Sequence, residues 1–503
     1  MTEPCDLSAC DARDLVGKGE LSPVELTLSC LGRINDLNPT LNAIVTLASE
    51  RALEEAKAAA QAVTKGASLG LLHGLPIAIK DLQATEGIVT TYGSSFYSEH
   101  IPLADARIVA RIRSAGGIVI GKTNIPEMSI GANTINRLFG ATGNPYDPTL
   151  TCGGSSGGSA VAVATGMAAL ATGSDHGGSL RIPASFCGVV GHRSTPGTVP
   201  HESRTIAQTN YSVQGPMGRT VADAGLLLSA IAERDRDSRR DPMAFPLDAS
   251  NFLNLEPIAV QSMKIGVTTD FGGLLVSDHV RSEFLNRIEA LERGGAQVIH
   301  LPIDLSDAVG VDWQLRADVF ATQYHREIEH FDDSFNPNVF RTYETALSTT
   351  VLEIAKARRR QVELFETVDQ AFDAVDVILC PGVSVSPFPW TFLHPPEIDG
   401  EAVQNYMAWL GLTACLTVVG HPVVALPAGI DRHQLPFGVQ CVGPMYRDAD
   451  LLRIARGIEG WFAESDAYRT PLPNLEAVAA ADPRCQELGR AAAIACLLYT
   501  SPR

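Results

Sequence analysis

Two glycine clusters carry the serines that could do chemistry. Gly153-Gly154-Ser155-Ser156-Gly157 and Gly173-Ser174-Asp175-His176-Gly177-Gly178-Ser179 set Ser155 and Ser179 24 residues apart. A serine hydroxyl is a weak nucleophile and needs a base within hydrogen-bond reach. The first cluster fits G-x-S-x-G, the nucleophile-elbow pattern. That pattern needs a strand directly before it and an acid and a histidine downstream. Turn residues, Asn144 to Pro148, stand there instead, and none of the twelve histidines is singled out as a partner. An Ala/Val stretch, Ser159 to Leu170, follows as a helix, so the cluster reads as a loop pinned to a helix N-terminus. The second cluster can turn successive amides around Gly177-Gly178 toward one point, as an oxyanion hole requires. Two tight turns are the alternative. Lys80 is one of only seven lysines and ends the apolar run Leu75-Pro76-Ile77-Ala78-Ile79. Desolvation there would lower its pKa and make it a neutral base. A strand-end lysine reaching solvent is the other reading. Gly116 to Thr123 matches the phosphate-loop pattern G-x-x-x-x-G-K-[ST], but the context refuses nucleotide binding. The apolar strand lies between the glycines, and Pro126 stands where the helix should already run.

The elements around these residues read as α/β. Residues 8 to 65 are helical in texture, with a capping box at Ser22-Pro23-Val24-Glu25 and an Ala-rich helix from Ser49 to Thr64. The helix from Asp105 to Ala115 stops at Gly116-Gly117 and passes into the strand Ile118-Val119-Ile120. The phrase recurs. Val280, Phe284, Leu285, Ile288 and Leu291 line one helix face, Gly294-Gly295 ends it, and Val298-Ile299 begins a strand. Ile265-Gly266-Val267 precedes that helix as a strand. Further strands are expected at Val377 to Leu379, Val423 to Leu426 and Gly438 to Val442. This βαβ texture implies a sheet covered by helices on both faces. No linker divides the chain. Residues 230 to 400 are more irregular and read as an insertion or cover region.

Composition narrows the function classes. The chain has 503 residues, 45% hydrophobic and 19% charged, which excludes global disorder. Its net charge of −18 and the lack of a basic stripe exclude a nucleic-acid binder. Arg358-Arg359-Arg360 reads as the solvated side of a helix. The N-terminus has no signal-peptide pattern. No run of about 20 apolar residues is present. Ala160 to Thr172, rich in Ala and Gly, reads as a buried helix and not a membrane span. Ten cysteines lack any Cys-x-x-Cys pair, so no zinc ribbon is indicated and reduced thiols in a cytoplasmic protein are expected.

Taken in order, the motifs resemble the amidase signature family. They run from Leu75 to Asp81, Gly121 to Met128, Gly140 to Tyr146, Gly153 to Ala160 and Asp175 to Ala184. Cys187 to Gly191, Gln214 to Asp223 and Leu435 to Gln440 complete the series, across roughly residues 8 to 465. The resemblance implies Ser179 as acylating nucleophile, with Ser155, in a cis peptide, bridging it to Lys80. It also implies an oxyanion hole from the amides of His176, Gly177, Gly178 and Ser179. Ser156, Asp175 and Arg181 would support them. The implied fold is one large α/β domain, residues 1–465, around a mixed, mostly parallel sheet, without metal or organic cofactor, followed by an extension, 466–503. His176 stands where the family usually has Thr or Ile, Cys152 where Pro is common, and Gly191 to Thr195 departs from Gly-x-Lys-Pro-Thr. The block Tyr-Gly-Leu-Val-Ala-Phe of amidotransferase subunits is absent. The last residues, Cys496 to Arg503, resemble translated adapter sequence. They are expected not to be native, with a terminal Ala-rich helix as the alternative.

The implied activity is hydrolysis of small neutral or aryl amides, with urethanes and esters as side substrates. The chain would act as a monomer or homodimer. Specificity is expected from residues 310 to 410 and from the loop at Ser129 and Ile130. Trp313, Trp390, Tyr406 and Trp409 are candidate pocket walls, against core packing as the plain alternative. The other functions weighed are a glutamine-dependent amidotransferase A-type subunit, an α/β-hydrolase-type esterase using Ser155, and a phosphate-loop nucleotide binder.

Overall fold

The computed structural model describes residues 3–202, 204–325, 335–481 and 484–500. Its strands, in chain order, begin with β1 (Ile44–Leu47), β2 (Pro76–Lys80) and β3 (Ile118–Thr123). Next come β4 (Ile135–Asn136), β5 (Gly140–Ala141), β6 (Leu170–Asp175), β7 (Val190–Arg193) and β8 (Val213–Gly218). β9 (Lys264–Val267), β10 (Gln297–His300), β11 (Val377–Pro381), β12 (Glu397–Ile398) and β13 (Glu401–Ala402) follow. β14 (Val423–Ile430) and β15 (Pro436–Val442) complete the set. Eleven of these form one sheet in the order β1-β3-β2-β6-β8-β7-β14-β15-β11-β9-β10. β4–β5 and β12–β13 are separate hairpins.

This is the single-domain α/β architecture that the sequence suggests, with a mixed sheet. Its parallel pairings fall in two runs, β3-β2-β6 and β11-β9-β10. These are the places where the helix–Gly-Gly–strand phrases occur. Antiparallel pairings fill the middle and tie on the edge strand β1, so the parallel share is smaller than those phrases alone suggest. Every residue of β2, β3, β11 and β15 is buried. A strand buried on alternate sides throughout must have both faces covered.

Three segments differ from their sequence-based reading. Ile44–Leu47 breaks the N-terminal helical stretch as an edge strand. The stretch read as one helix through Thr172 is two elements. Helix Gly157–Ala164 stops before Thr165-Gly166, and β6 begins at Leu170. Small residues in Leu-Ala-Thr-Gly-Ser-Asp hide this strand, because β-branched and aromatic residues are the usual signal. The region from 230 to 400 is not only a cover, since β9, β10 and β11 extend the main sheet from within it.

The C-terminal extension packs on the body. Cys485 and Ala493 of the helix Cys485–Thr500 bury against Ile135, Ala141 and Trp390. Residues 501–503 at the end of the chain lie outside the described residues. No described helix is long and apolar enough to cross a membrane.

Candidate active site

Lys80 is the last residue of β2 and is fully buried. Its backbone N–H donates to Thr172 Oγ1 of the neighbouring β6 at 3.0 Å, which fixes the strand end. Its Nζ donates to Ser155 Oγ at 2.8 Å, Ser156 Oγ at 2.9 Å and Ser174 Oγ at 2.8 Å. Three hydroxyls therefore surround the Lys80 nitrogen, and among the described residues no carboxylate pairs with it. Burial lowers the Lys80 pKa to about 7, against an opposing pull from the charge of Asp175. An appreciable share of Lys80 is then the neutral amine near pH 7, which a solvated lysine is not.

Ser155 and Ser156 sit where the loop enters the helix Gly157–Ala164. The Gly154–Ser155 peptide is cis. Ser156 is the N-cap residue, yet its side chain makes no capping bond. Its hydroxyl instead takes Lys80 and donates to Ser174 O at 3.3 Å. The helix can approach β3 closely because Gly158 lacks a side chain. A Cβ there would lie 2.5 Å from Asn124 N and 2.6 Å from Ala43 O.

The second cluster turns out of β6 through Asp175. This fully buried carboxylate accepts from Gly178 N–H at 2.8 Å, Leu180 N–H at 3.1 Å, and Arg181 at 2.9 and 3.0 Å. Arg193 adds a contact at 3.3 Å. Burial alone would raise the Asp175 carboxyl, but the Arg181 and Arg193 guanidiniums hold it well below the usual carboxylate range. Arg181 is held in turn by Gln440 Oε1 at 2.9 Å and Thr417 Oγ1 at 3.0 Å. Gly178 has φ +120°, and a Cβ there would lie 2.4 Å from Thr413 Oγ1, so only glycine fits this turn.

One expectation changes here. The Gly178 amide already serves Asp175, which leaves His176, Gly177 and Ser179 as the candidate oxyanion donors. Among the described residues no acceptor takes the Gly177 or Ser179 N–H, and the Ser179 hydroxyl makes no hydrogen bond. His176 Nδ1 lies 3.1 Å from Ser212 Oγ, and its ring packs on Tyr211 at 4.7 Å. Burial, aided by the charges of Arg316 and Arg193, lowers its pKa well below the ordinary value and keeps the imidazole neutral.

Ser155, Ser174, Gly177 and Ser179 line one cavity of about 630 Å³. Ser129, Ile130 and Tyr406 line it too. Three of the aromatic wall candidates do not. Trp409 is 1% exposed and packs in the core between Phe186 and Phe388. Trp390 belongs to the cluster under the C-terminal helix. Trp313 lies behind Tyr406, edge to face at 6.0 Å. An aromatic residue signals a large apolar body but not the direction it faces.

The site also holds groups that no sequence pattern singles out. Ser174 is the third hydroxyl on Lys80, and Arg193 is the second cation on Asp175. Gln83 receives Thr172 Oγ1–H on its Oε1 at 2.5 Å. Lys122 of the rejected phosphate-loop match is buried in β3. It donates to Gln83 O, to Thr85 Oγ1 at 2.9 Å and to Thr90 Oγ1 at 3.0 Å. That lysine clamps the loop after β2 and offers no phosphate cradle. The elbow reading also fails on context, because no strand directly precedes Ser155 and its hydrogen-bond partner is Lys80. Among the described residues no cluster of three or more metal-ligating side chains occurs.

The comparisons agree with this architecture. The family model described as Amidase matches residues 25–452. The acylamidase of Rhodococcus erythropolis is 30% identical over 456 residues, covering 90% of this chain and 95% of that one. A glutamyl-tRNA(Gln) amidotransferase subunit of Thermosynechococcus vestitus is 31% identical over 472 residues, covering 89% of this chain and 96% of that protein. The crystal structure of a bacterial aryl acylamidase of the amidase signature family superposes with a TM-score of 0.84 at 26% identity. It covers 95% of this chain and 99% of that chain. The protein belongs to the Amidase family, the amidase signature enzymes. Hydrolysis of an amide C–N bond is the chemistry this membership supports.

The Asp175 cluster gives a stability test. Asp175→Asn leaves two buried guanidiniums under-compensated and is expected to cost about 3–5 kcal/mol in urea unfolding. The wild-type contribution has a defined sign with pH. The folded carboxyl lies below its unfolded value near 3.9, so the stabilisation is complete above roughly pH 5 and declines as pH falls. A variant whose midpoint matches wild type at pH 7 would show that the cluster holds nothing.

Proposed function

We propose that the chain is a serine amidohydrolase for small neutral or aryl amides, with Ser179 as nucleophile, Ser155 as proton bridge and Lys80 as base. One observation carries this reading: the buried Lys80 Nζ lies 2.8 Å from Ser155 Oγ, and Ser155 lines the same cavity as Ser179, while burial lowers the Lys80 pKa to about 7. Neutral Lys80 takes the Ser155 proton while Ser155 takes the Ser179 proton, and Ser179 Oγ bonds to the substrate carbonyl carbon. The amides of His176, Gly177 and Ser179 receive the developing oxyanion. The tetrahedral species then collapses. The C–N bond breaks, the relay returns the proton to the leaving amine, and an acyl-enzyme remains. Water enters and gives its proton to the same relay as its oxygen bonds to the acyl carbon; the bond from that carbon to Ser179 Oγ then breaks, the relay returns the proton to Ser179, and the acid is released. Ser156 and Ser174 hold the Lys80 amine in line, and Asp175 with Arg181 holds the oxyanion turn.

The same steps act on a carbamate or an ester, which present the same carbonyl and differ in the leaving group. A neutral substrate suits the cavity, because Arg316, which lines it, is paired with Asp312 at 3.2 Å. The enzyme would act alone as a monomer or homodimer in the cytoplasm. The nine described cysteines are all free thiols, as that compartment allows.

The test is kinetics on a matched 4-nitroanilide, urethane and aryl ester, with Ser179→Ala as blank. Anilide turnover above the blank is expected, with weaker carbamate and ester activity. Turnover confined to free glutamine or to tRNA-linked glutamate would favour the amidotransferase reading, the function that several relatives carry in their names.

A further inference from the structure

Two neighbouring strands build one wall of the cavity. β6 and β8 pair antiparallel, with Ser174 opposite Gln214 and Asp175 opposite Val213. Side chains alternate across a strand, and directly opposite residues share a face. Burial follows that period. Asp175 and Val213 are buried, while Ser174 and Gln214 are half-buried and line the cavity. The next residues on that face, His176 and Ser212, are half-buried and line it too. His176 Nδ1 lies 3.1 Å from Ser212 Oγ, so the side-chain pairing continues past the strand ends. The result is a polar wall of four residues. The apolar lining comes from elsewhere, where Ile130, Ile182 and Leu410 belong to one apolar cluster.

Three of the four wall residues have partners within the protein. Ser174 Oγ accepts from Lys80 Nζ at 2.8 Å, and His176 and Ser212 hold one another. Gln214 differs. Among the described residues its side-chain amide makes no hydrogen bond, and of its two polar atoms only Oε1 is enclosed by the protein. The Nε2 end is the open one, so it presents N–H to the cavity, and its acceptor has to come from there.

The position of Gln214 on the wall decides which part of a substrate it meets. Ser155 returns the proton to the leaving nitrogen, so that nitrogen must lie against Ser155. Ser155 and Ser174 both bond to Lys80 Nζ. Gln214, opposite Ser174, therefore stands at the relay end of the wall, whereas Ser212 stands at the oxyanion end, on His176. The leaving group runs along Gln214, and the acyl group is left the apolar lining.

We propose that Gln214 is a specificity-determining residue for the leaving group, whose side-chain N–H selects amides carrying a neutral acceptor atom near the scissile nitrogen on the amine side, such as a ring nitrogen or an ether oxygen. This rests on the amidase reading above and narrows its leaving group. A plain phenyl or alkyl amine leaves the donor without an acceptor and is disfavoured, as sites built for a polar group reject analogues that lack it.

The test compares N-(3-pyridyl)butyramide with N-phenylbutyramide at pH 8, which differ by a ring nitrogen in place of one C–H. The readout is the ratio of their kcat/KM values, so intrinsic reactivity cancels between variants. Wild-type enzyme is expected to favour the pyridyl amide. Gln214→Met, of similar length and without a donor, is expected to lower that ratio by about fivefold. Gln214→Glu keeps the shape, replaces the donor with an acceptor, and is expected to lower it at least as far. The ratio between butyryl and phenylacetyl substrates of one common amine should not follow Gln214. An unchanged pyridyl-to-phenyl ratio in both variants overturns the subsite, as does an equal loss on both amides. A variant that shifts the acyl ratio as much as the amine ratio overturns the placement on the leaving-group side. Wild-type enzyme that hydrolyses neither amide overturns the amidase reading itself, and the subsite with it.

Discussion

Ser179→Ala is expected to lower kcat on an anilide by on the order of 10⁶, the scale of removing the nucleophile from a serine hydrolase. The hydroxyl opens on the cavity with no hydrogen bond of its own among the described residues, so its loss leaves no buried partner unpaired. Melting temperature should therefore stay close to wild type while turnover disappears. Ser155→Ala is expected to cost less, roughly 10²–10⁴, because it removes the proton bridge and not the attacking atom. The reverse order, with Ser155→Ala the more damaging, would make Ser155 the nucleophile and overturn the assignment of roles.

Lys80→Ala carries the second largest effect. Its Nζ joins Ser155, Ser156 and Ser174, and no other base bonds these hydroxyls among the described residues. Removing it should lower kcat/KM by roughly 10²–10⁴ at pH 8. The pH profile gives the sharper sign. Burial sets the Lys80 pKa at about 7, so the neutral amine is the minor form at pH 6 and the major form at pH 8. Wild-type kcat/KM should rise about tenfold across that interval, because the relay needs the neutral form. Lys80→Ala should lose this acid limb along with its rate. A profile that is flat in the wild type, or unchanged in the variant, would show that Lys80 is not the titrating base.

Much of this site could be read from the chain. Lys80, Ser155 and Ser179 lie in ordered blocks whose local chemistry already points to a base, a turn and an oxyanion loop. The burial that lowers the Lys80 pKa follows from the apolar run before it. Partners brought in by the sheet were harder. Arg193 meets Asp175 across β8, which lies between β6 and β7 in the sheet, an order that no local pattern announces. Gln440 reaches Arg181 from β15, 259 residues away in sequence. Ser174 was visible within its cluster, but its contact with Lys80 depends on β2 and β6 being neighbours. Arg316 gave only a weak signal, an Asp four residues before an Arg on a helix, which usually marks a solvated face. The tryptophans misled for a related reason, since size and hydrophobicity do not tell a cavity wall from a core. The Gly178 amide is a finer case. A run of glycines suggests several amides in one direction, and only the fold shows that Asp175 has claimed one of them.

The most direct measurement is covalent labelling with a fluorophosphonate, followed by peptide mapping. The reagent reacts with an activated serine and reports which oxygen the base serves. A single adduct on Ser179 is expected, forming faster as pH rises through 7 and absent or strongly slowed in Lys80→Ala. An adduct on Ser155, or labelling of Lys80→Ala at the wild-type rate, would contradict the Lys80–Ser155–Ser179 relay.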